Sequence, residues 1–98
     1  MTGRCILSPR AELDLDEIWD YTAERWGREQ AETYTRQLWR GIQNVAAQPA
    51  IARSCSDVRA GYYKYCSGSH IIFFRLTDSG IDVVRILHQR MDVEKHIF

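Results

Sequence analysis

The spacing of apolar residues changes once along this chain, from a helical period in the first half to a strand-like pattern in the second. Ser8 is a good helix N-cap, and Pro9 suits the first helical position because its missing N–H would have had no partner there. An apolar face with spacings of three and four residues follows, formed by Ala11, Leu15, Ile18, Trp19, Thr22 and Trp26. This pattern predicts a helix from Pro9 to about Trp26, with Trp19 and Trp26 in the core.

A second helix is predicted after Gly27, which interrupts the first pattern. The helix should end near Gln48, because the residue before a proline disfavours helical geometry. A single glycine between the two segments predicts that the helices pack as an antiparallel hairpin. The apolar face of the second helix is formed by Ala31, Tyr34, Leu38, Ile42 and Val45 and is widened by Trp39 and Ala46.

Beyond the helices, the sequence predicts a loop over residues 50–57 and then three strands joined by short turns. The middle strand is apolar on both faces, as expected of a central strand that is covered on both sides. Asp92 is predicted to cap a short C-terminal helix. The strands run from Val58 to Cys66, from Ser69 to Leu76 and from Ile81 to His88, with turns at 67–68 and 78–80.

Residues 4–8 are predicted to form a short first strand that joins the sheet at one side, since its apolar residues would otherwise have no partner. The expected fold class is therefore α+β, in a single domain over residues 1–98. It consists of the short first strand and an antiparallel helical hairpin packed on an antiparallel sheet, which ends in a three-strand meander.

Composition excludes several classes of function. The formal net charge is zero, which weakens any function that needs a broadly basic surface, so we expect no direct sequence-specific binding of nucleic acid. No apolar run approaches the roughly 18 residues of a membrane span, and no signal peptide is evident at the N-terminus. The three cysteines lack CxxC spacing and are expected to remain thiols in a reducing cytoplasm.

Known catalytic motifs are also missing from the sequence. It carries no Ser/His/Asp arrangement, no metal-ligand cluster and no glycine-rich phosphate loop. We therefore expect no catalytic residues, no metal and no cofactor.

Several short stretches occur in an order that resembles the RelE/ParE toxin superfamily over nearly the whole chain. The most specific stretch is Arg-Ile-Leu-His-Gln-Arg-Met-Asp at residues 85–92, which is similar to the ParE branch. The weaker stretches gain force from their order, and they are residues 7–11, 16–19, 25–27, 59–62 and 67–70.

The resemblance implies the toxin of a type II toxin–antitoxin pair. ParE-like toxins act on DNA gyrase, by contact with its A subunit or its DNA complex, and stall the cleaved complex. They are held silent in a hetero-oligomer by a ParD-like antitoxin, a ribbon-helix-helix dimer whose C-terminal segment wraps the toxin.

Two sets of candidate binding residues follow from the resemblance. The target-binding candidates, expected to be exposed in the C-terminal segment, are Arg85, His88, Gln89, Arg90, Met91 and Asp92. The antitoxin-binding candidates, expected along a groove between the hairpin and the sheet edge, are Tyr34, Leu38, Trp39 and Arg75.

Two alternative functions remain open at this point. A RelE-like ribonuclease would need a cation after His70 and a proton donor after His88, yet these positions hold Ile71 and Gln89. The other alternative is a non-toxic relative that only binds its antitoxin.

Some of the arginines and histidines in the second half of the chain are instead expected to have structural roles. Arg75 and Arg85 either share a face as a small cationic patch or pair with carboxylates of the acidic first helix, and a structural role is favoured for Arg75. His70 is expected to be a hydrogen-bonded histidine in the core or at its rim. His88 is either a partner contact or an anchor for the tail.

Overall fold

The computed structural model describes residues 3–55 and 60–91, in which two helices lie against a five-stranded sheet. Within these ranges, no helix is both long enough and apolar enough to cross a membrane. The helices are α1 (Pro9–Trp26) and α2 (Arg28–Ala47), followed by a 3₁₀ turn at Pro49–Ile51. The strands are β1 (Arg4–Leu7), β2 (Arg53–Ser54), β3 (Tyr62–Ser67), β4 (His70–Leu76) and β5 (Gly80–His88).

The predicted start and end of α1 are confirmed. The Ser8 side chain accepts a hydrogen bond from the Ala11 amide at 3.0 Å, and its hydroxyl donates to the Val84 carbonyl at 2.8 Å. Ser8 thus caps α1 and also ties the start of the helix to β5. Gly27 alone separates α1 from α2, and the two helices pack together as the predicted hairpin.

The strand order β1-β5-β4-β3-β2 confirms the three-strand meander and places β1 at one edge of the sheet. The prediction of a purely antiparallel sheet is wrong, because β1 pairs with β5 in parallel, from Arg4 opposite Gly80 to Leu7 opposite Val83. Apolar periodicity carries no information on strand direction. Direction follows from where the helical hairpin and the meander return the chain.

The predicted loop over residues 50–57 is also partly wrong. The 3₁₀ turn occupies its start, and Arg53 and Ser54 form β2, which pairs with β3 through Lys64 and Tyr63. Two residues are too short for an alternating pattern to be recognised in sequence. The predicted strand from Val58 to Cys66 begins too early, because residues 60–61 form a turn and β3 starts at Tyr62. The predicted C-terminal helix lies outside the described residues.

The main core lies between the helices and one face of the sheet, and a smaller cluster lies on the other face, so β4 is covered on both sides as predicted. The prediction that Trp26 is a core residue is wrong, because its side chain is 70% exposed, while Trp19 is half-buried. The buried face of α1 ends at Thr22, one turn before Trp26. The smaller cluster consists of Cys55, Tyr62, Phe73 and Leu87, with Ile71 and Val84 beside it.

Candidate functional site

A cleft opens between the helical hairpin and the point where β4 begins and β5 ends. Because these strands are antiparallel neighbours, His70 at the start of β4 lies opposite His88 at the end of β5. Two lobes, of about 480 and 450 Å³, share these histidines and Tyr21 and together form what we call the histidine cleft. The first lobe is also lined by Thr22, Trp26, Gln30, Tyr34 and Ser69. The second is also lined by Arg10, Asp14, Glu17, Ile18, Arg85, Ile86, Leu87 and Met91.

His70 is held in place by Tyr34 of α2. The Tyr34 hydroxyl lies 2.6 Å from Nδ1 of His70, and the Ser69 amide donates to the same hydroxyl oxygen at 3.0 Å. The amide can only donate, so the hydroxyl proton is available for Nδ1 of His70. We assign the hydroxyl as donor to Nδ1, and with that assignment a neutral His70 carries its proton on Nε2. The expectation of a hydrogen-bonded histidine at the rim of the core is confirmed.

The environment of His70 keeps its ring neutral at physiological pH. Burial, reinforced by the nearby His88, lowers the pKa of His70 to about 4, and Asp14 opposes this shift in part. The two imidazole rings meet edge to face, with centroids 5.3 Å apart. His70 is therefore a neutral hydrogen-bond donor in the cleft and is not a cation.

His88 anchors the start of the C-terminal segment. Its Nδ1 accepts a hydrogen bond from the Arg90 amide at 3.1 Å, and its carbonyl accepts one from the Met91 amide at 2.9 Å. A third bond joins the Gln89 amide to the Ser69 carbonyl at 2.9 Å. Of the two roles left open for His88, the structure therefore supports that of a tail anchor, although the half-buried ring also faces the cleft.

The expectation that Arg85 is exposed toward a target is wrong. Its side chain is buried, and its guanidinium donates to Asp14 from Nε at 2.8 Å and from Nη2 at 3.0 Å. The alternative expectation, a carboxylate partner on the first helix, is confirmed. Arg85 therefore has a structural role, in which its buried ion pair with Asp14 joins the end of β5 to α1.

Strand register explains why Arg85 faces Asp14 while Arg75 faces away. Arg75 pairs with Asp82 and so shares its face, whereas Arg85 lies on the opposite face with Val83, against the helices. A bulge follows Val83, because Phe73 pairs with Arg85 and leaves Val84 as an extra residue in the ladder. The shared face predicted for Arg75 and Arg85 is therefore wrong, since their positions within each strand did not reveal the register between the strands. Arg75 instead has an exposed side chain, 3.9 Å from Asp82 of β5, and so does not pair with the first helix.

The other candidates divide by exposure. Gln89, Arg90 and Met91 are exposed as predicted, and Asp92 lies outside the described residues. Trp39 is 39% exposed, which confirms its predicted partial exposure, and it lines a groove between the outer faces of α1 and α2. Leu38 is fully buried, so it does not contact a partner directly. The apolar face of α2 is wide enough that sequence alone did not separate its buried centre from its rim.

Several residues of the cleft were not assigned to a site by sequence reasoning, among them Asp14, Tyr21, Trp26 and Gln30. Asp14 had a usable signal, because it stands three residues after Ala11 and four before Ile18, within the apolar face of α1. A carboxylate at such a position requires a buried partner. Tyr21 and Gln30 carried no comparable signal.

A ribonuclease of the RelE kind would need a cation after His70 and an acid after His88. Ile71 and Gln89 occupy these positions and can supply neither. Ile71 is half-buried against the smaller cluster, and the Gln89 side chain is exposed. Among residues 3–55 and 60–91, no group of three or more His, Cys, Asp or Glu side chains is arranged to hold a metal ion.

Residues 5–93 match the profile of the family described as the ParE toxin of the type II toxin–antitoxin system parDE. The chain belongs to the ParE toxin family. Toxin ParE1 of Mycobacterium tuberculosis is 52% identical over 98 residues, covering 99% of this chain and 100% of the relative. Toxin ParE1 of Caulobacter vibrioides is 42% identical over 91 residues, covering 93% and 94% of the two chains. The resemblance to the ParE branch is confirmed.

Solved structures show the same ParE/RelE fold at low identity. A chain of the chromosomal ParDE TA system from P. aeruginosa superposes with a TM-score of 0.77 at 17% identity, covering 88% of this chain and 95% of that chain. A chain of the YoeB–YefM complex from Staphylococcus aureus gives a TM-score of 0.58 at 14% identity, covering 89% and 97%. A chain of the toxin–antitoxin complex RelBE2 from Mycobacterium tuberculosis gives 0.55 at 13% identity, covering 91% and 100%.

Proposed function

We propose that this ParE-family toxin inhibits DNA gyrase by binding it and stalling its cleaved complex with DNA, and that a ParD-like ribbon-helix-helix antitoxin neutralises it. The observation that carries the proposal is the family match over residues 5–93, which includes the helical hairpin, the sheet and the C-terminal segment. The toxin acts in the cytoplasm, where gyrase and its DNA are found.

The chemistry of the histidine cleft favours action by binding over catalysis. His70 is neutral and its Nδ1 is engaged by Tyr34, while Arg85 is committed to Asp14. RNA cleavage requires positive charge at the phosphate and a proton donor at the leaving oxygen. Neither Ile71 nor Gln89 supplies these.

The C-terminal segment is the proposed contact surface for gyrase. Gln89, Arg90 and Met91 are exposed, and their backbone is fixed by hydrogen bonds to Ser69 and His88. A fixed, exposed segment loses little conformational entropy on binding. Arg85 contributes by holding the strand that leads into this segment, and Asp92 is retained as a candidate contact.

The antitoxin is proposed to lie on the helical hairpin and the neighbouring sheet edge. Trp39 offers an exposed aromatic surface on α2, Tyr34 of the same helix lines the histidine cleft, and Arg75 is exposed at the far end of β4. Two of the solved structures with this fold are described as toxin–antitoxin or YoeB–YefM complexes, which supports a protein partner for the chain. An amphipathic antitoxin segment suits such a surface.

A gyrase supercoiling and cleavage assay with the purified chain tests the proposal. We expect micromolar toxin to inhibit supercoiling and to cause cleaved DNA to accumulate. The double variant Arg90→Ala/Met91→Ala should be at least about ten-fold less potent, which is the size of effect expected when a binding hot spot is lost. The control Arg40→Ala/Leu13→Ala removes an exposed cation and an exposed apolar side chain elsewhere on the helices.

Three results would overturn this proposal. The first is absence of any gyrase effect, and the second is equal loss of potency in the control variant. The third is codon-specific cleavage of messenger RNA after brief expression, detected by primer extension, which would make the chain a ribonuclease. Absence of growth arrest on expression would identify a non-toxic relative.

A further inference from the structure

The two histidines of the cleft each leave one ring nitrogen available. Within residues 3–55 and 60–91, the imidazole rings of His70 and His88 make no hydrogen bonds other than those of Nδ1, and no buried side-chain nitrogen or oxygen lacks a partner. The Nε2 atoms are therefore not buried, since a buried Nε2 would be without a partner. Both rings line both lobes of the cleft, so a bound group can reach them.

Both Nε2 atoms are hydrogen-bond donors when the rings are neutral. Nδ1 of His88 accepts from the Arg90 amide, which can only donate, so the ring proton is on Nε2. In the tautomer assigned above, Nδ1 of His70 accepts from the Tyr34 hydroxyl, and its ring proton is on Nε2 as well. This is the reverse of a metal site, in which Nδ1–H donates and the lone pair of Nε2 binds the ion. The pair suits a hydrogen-bond acceptor.

An apolar surface lies beside these donors. Trp26 is 70% exposed and Tyr21 is 59% exposed, and both line the first lobe together with the histidines. An aromatic side chain that is this exposed contributes little to the stability of the fold, whereas aromatic residues are enriched where proteins bind one another. Arg25 stacks over the Tyr21 ring at 5.4 Å and adds positive charge at this wall.

Charge narrows the choice of acceptor. Among the described residues that line the first lobe there is no carboxylate to repel an anion. Asp14 and Glu17 line the second lobe, where Asp14 is paired with Arg85. A carboxylate only accepts hydrogen bonds, and its two oxygens match two N–H donors with charge-assisted bonds. A nucleic-acid phosphate would instead favour several cations around it, and among the described residues the first lobe has only Arg25 beside it, over the Tyr21 ring.

We propose that the histidine cleft binds an acidic side chain of the antitoxin, with Nε2–H of His70 and of His88 donating to its carboxylate. An apolar side chain next to it in the antitoxin packs against Tyr21 and Trp26. The identity of the partner rests on the proposed function. The chemical class of the ligand, a carboxylate beside an apolar group, rests on the geometry of the cleft.

The chemical class is tested with peptides on the full chain labelled with ¹⁵N. The probes are N-acetyl-Leu-Asp-amide and, as a matched neutral analogue, N-acetyl-Leu-Asn-amide. Long-range ¹H–¹⁵N spectra of the imidazoles should show both rings as Nε2–H forms at neutral pH. The Asp peptide should produce saturable shifts of both Nε2 signals, and the Asn peptide should bind at least five-fold more weakly.

Variants locate the binding and identify the partner. Trp26 is too exposed for its loss to endanger folding, so Trp26→Ala should weaken binding of the Asp peptide at least five-fold without unfolding the chain. Leu13→Ala on the same helix should leave binding of the peptide unchanged. His70→Phe, which keeps a planar ring but has no N–H donor, should reduce the difference between the two peptides. In calorimetry with the purified antitoxin, Trp26→Ala should raise Kd at least ten-fold relative to Leu13→Ala.

Each contrary result bears on a separate part of the proposal. Equal binding of both peptides, or no shift of either imidazole, overturns the carboxylate site and leaves gyrase inhibition unaffected. If the Asp peptide binds but Trp26→Ala does not change the Kd of the antitoxin, the antitoxin is not the occupant of the histidine cleft. Competition for the peptide by gyrase, but not by the antitoxin, would assign the cleft to the target.

Discussion

Asp14 and Arg85, separated by 71 residues in sequence, form a buried ion pair with two hydrogen bonds, at 2.8 Å from Nε and 3.0 Å from Nη2. The same carboxylate accepts a third bond from the Ile86 amide at 3.0 Å. One side chain of α1 thereby satisfies both the arginine and a backbone amide beside the bulge of β5. The position of His88 and of the segment after it depends on this contact.

Removing the carboxylate should be strongly destabilising. Asp14→Ala leaves the Arg85 guanidinium and the Ile86 amide without their partner, and we expect the free energy of unfolding to fall by about 3–5 kcal/mol. Urea denaturation measures this loss. The control Asp16→Ala removes an exposed carboxylate of the same helix and should cost less than about 1 kcal/mol. Similar losses in the two variants would show that the buried pair has no special role.

The Tyr34 hydroxyl should stabilise the fold and fix the tautomer of His70. Tyr34→Phe removes its bonds with His70 and with the Ser69 amide, at an expected cost of roughly 1–2 kcal/mol, since each bond contributes about 1 kcal/mol. NMR should also show a mixture of His70 tautomers in the variant. Tyr21→Phe, at a largely exposed ring, is the control and should leave both measurements unchanged. A single His70 tautomer in Tyr34→Phe would contradict the assignment.

Gly68 and Gly61 offer a matched pair of turn glycines. Both have positive φ, 59° and 82°, which an alanine adopts at a cost of roughly 1–2 kcal/mol. A Cβ at Gly68 would also lie 2.9 Å from Cε1 and from the hydroxyl oxygen of Tyr34, whereas no atom of residues 3–55 or 60–91 lies within 4 Å of one at Gly61. Gly68→Ala should therefore be more destabilising than Gly61→Ala by about 1–3 kcal/mol, the cost of overpacking. Equal thermal stabilities for the two variants would refute the close approach of Tyr34.

Stability should decrease in acid because of His70. Its pKa is about 4 in the folded protein against 6.5 in the unfolded chain, so between these pH values the unfolded state binds a proton that the folded state does not. The free energy of unfolding should fall as pH decreases from about 6.5 to 4, and this contribution should level off below pH 4. Three groups on different elements act on the ring: His88 of β5, Asp14 of α1 and Tyr34 of α2.

The variant His70→Asn isolates this effect. It retains an amide near the Tyr34 hydroxyl but does not titrate, so its stability should depend less on pH across the same window. The measurement is urea denaturation of both proteins at half-unit intervals between pH 4 and 7. Parallel pH profiles would mean that His70 is not the group responsible.

Local features were predictable from the sequence because they depend on near neighbours. Ser8 and Pro9 fixed the start of α1, Gly27 fixed its end, and the glycine turns separated the strands of the meander. The exposure of the segment after His88 also followed, since its side chains are mostly polar. Trp26 was misplaced, because periodicity predicts a stripe without predicting how far the sheet extends beneath it.

The sequence by itself therefore determined the helices, the meander and the membership of the ParE family, which reside in local pattern and ordered motifs. Only the tertiary structure decided the parallel pairing of β1 with β5, the burial of Arg85 and the meeting of His70 with Tyr34 and His88. The physical reason is that these contacts depend on strand direction and register between distant segments. A single extra residue at Val84 shifts that register, and no periodicity in the chain records it.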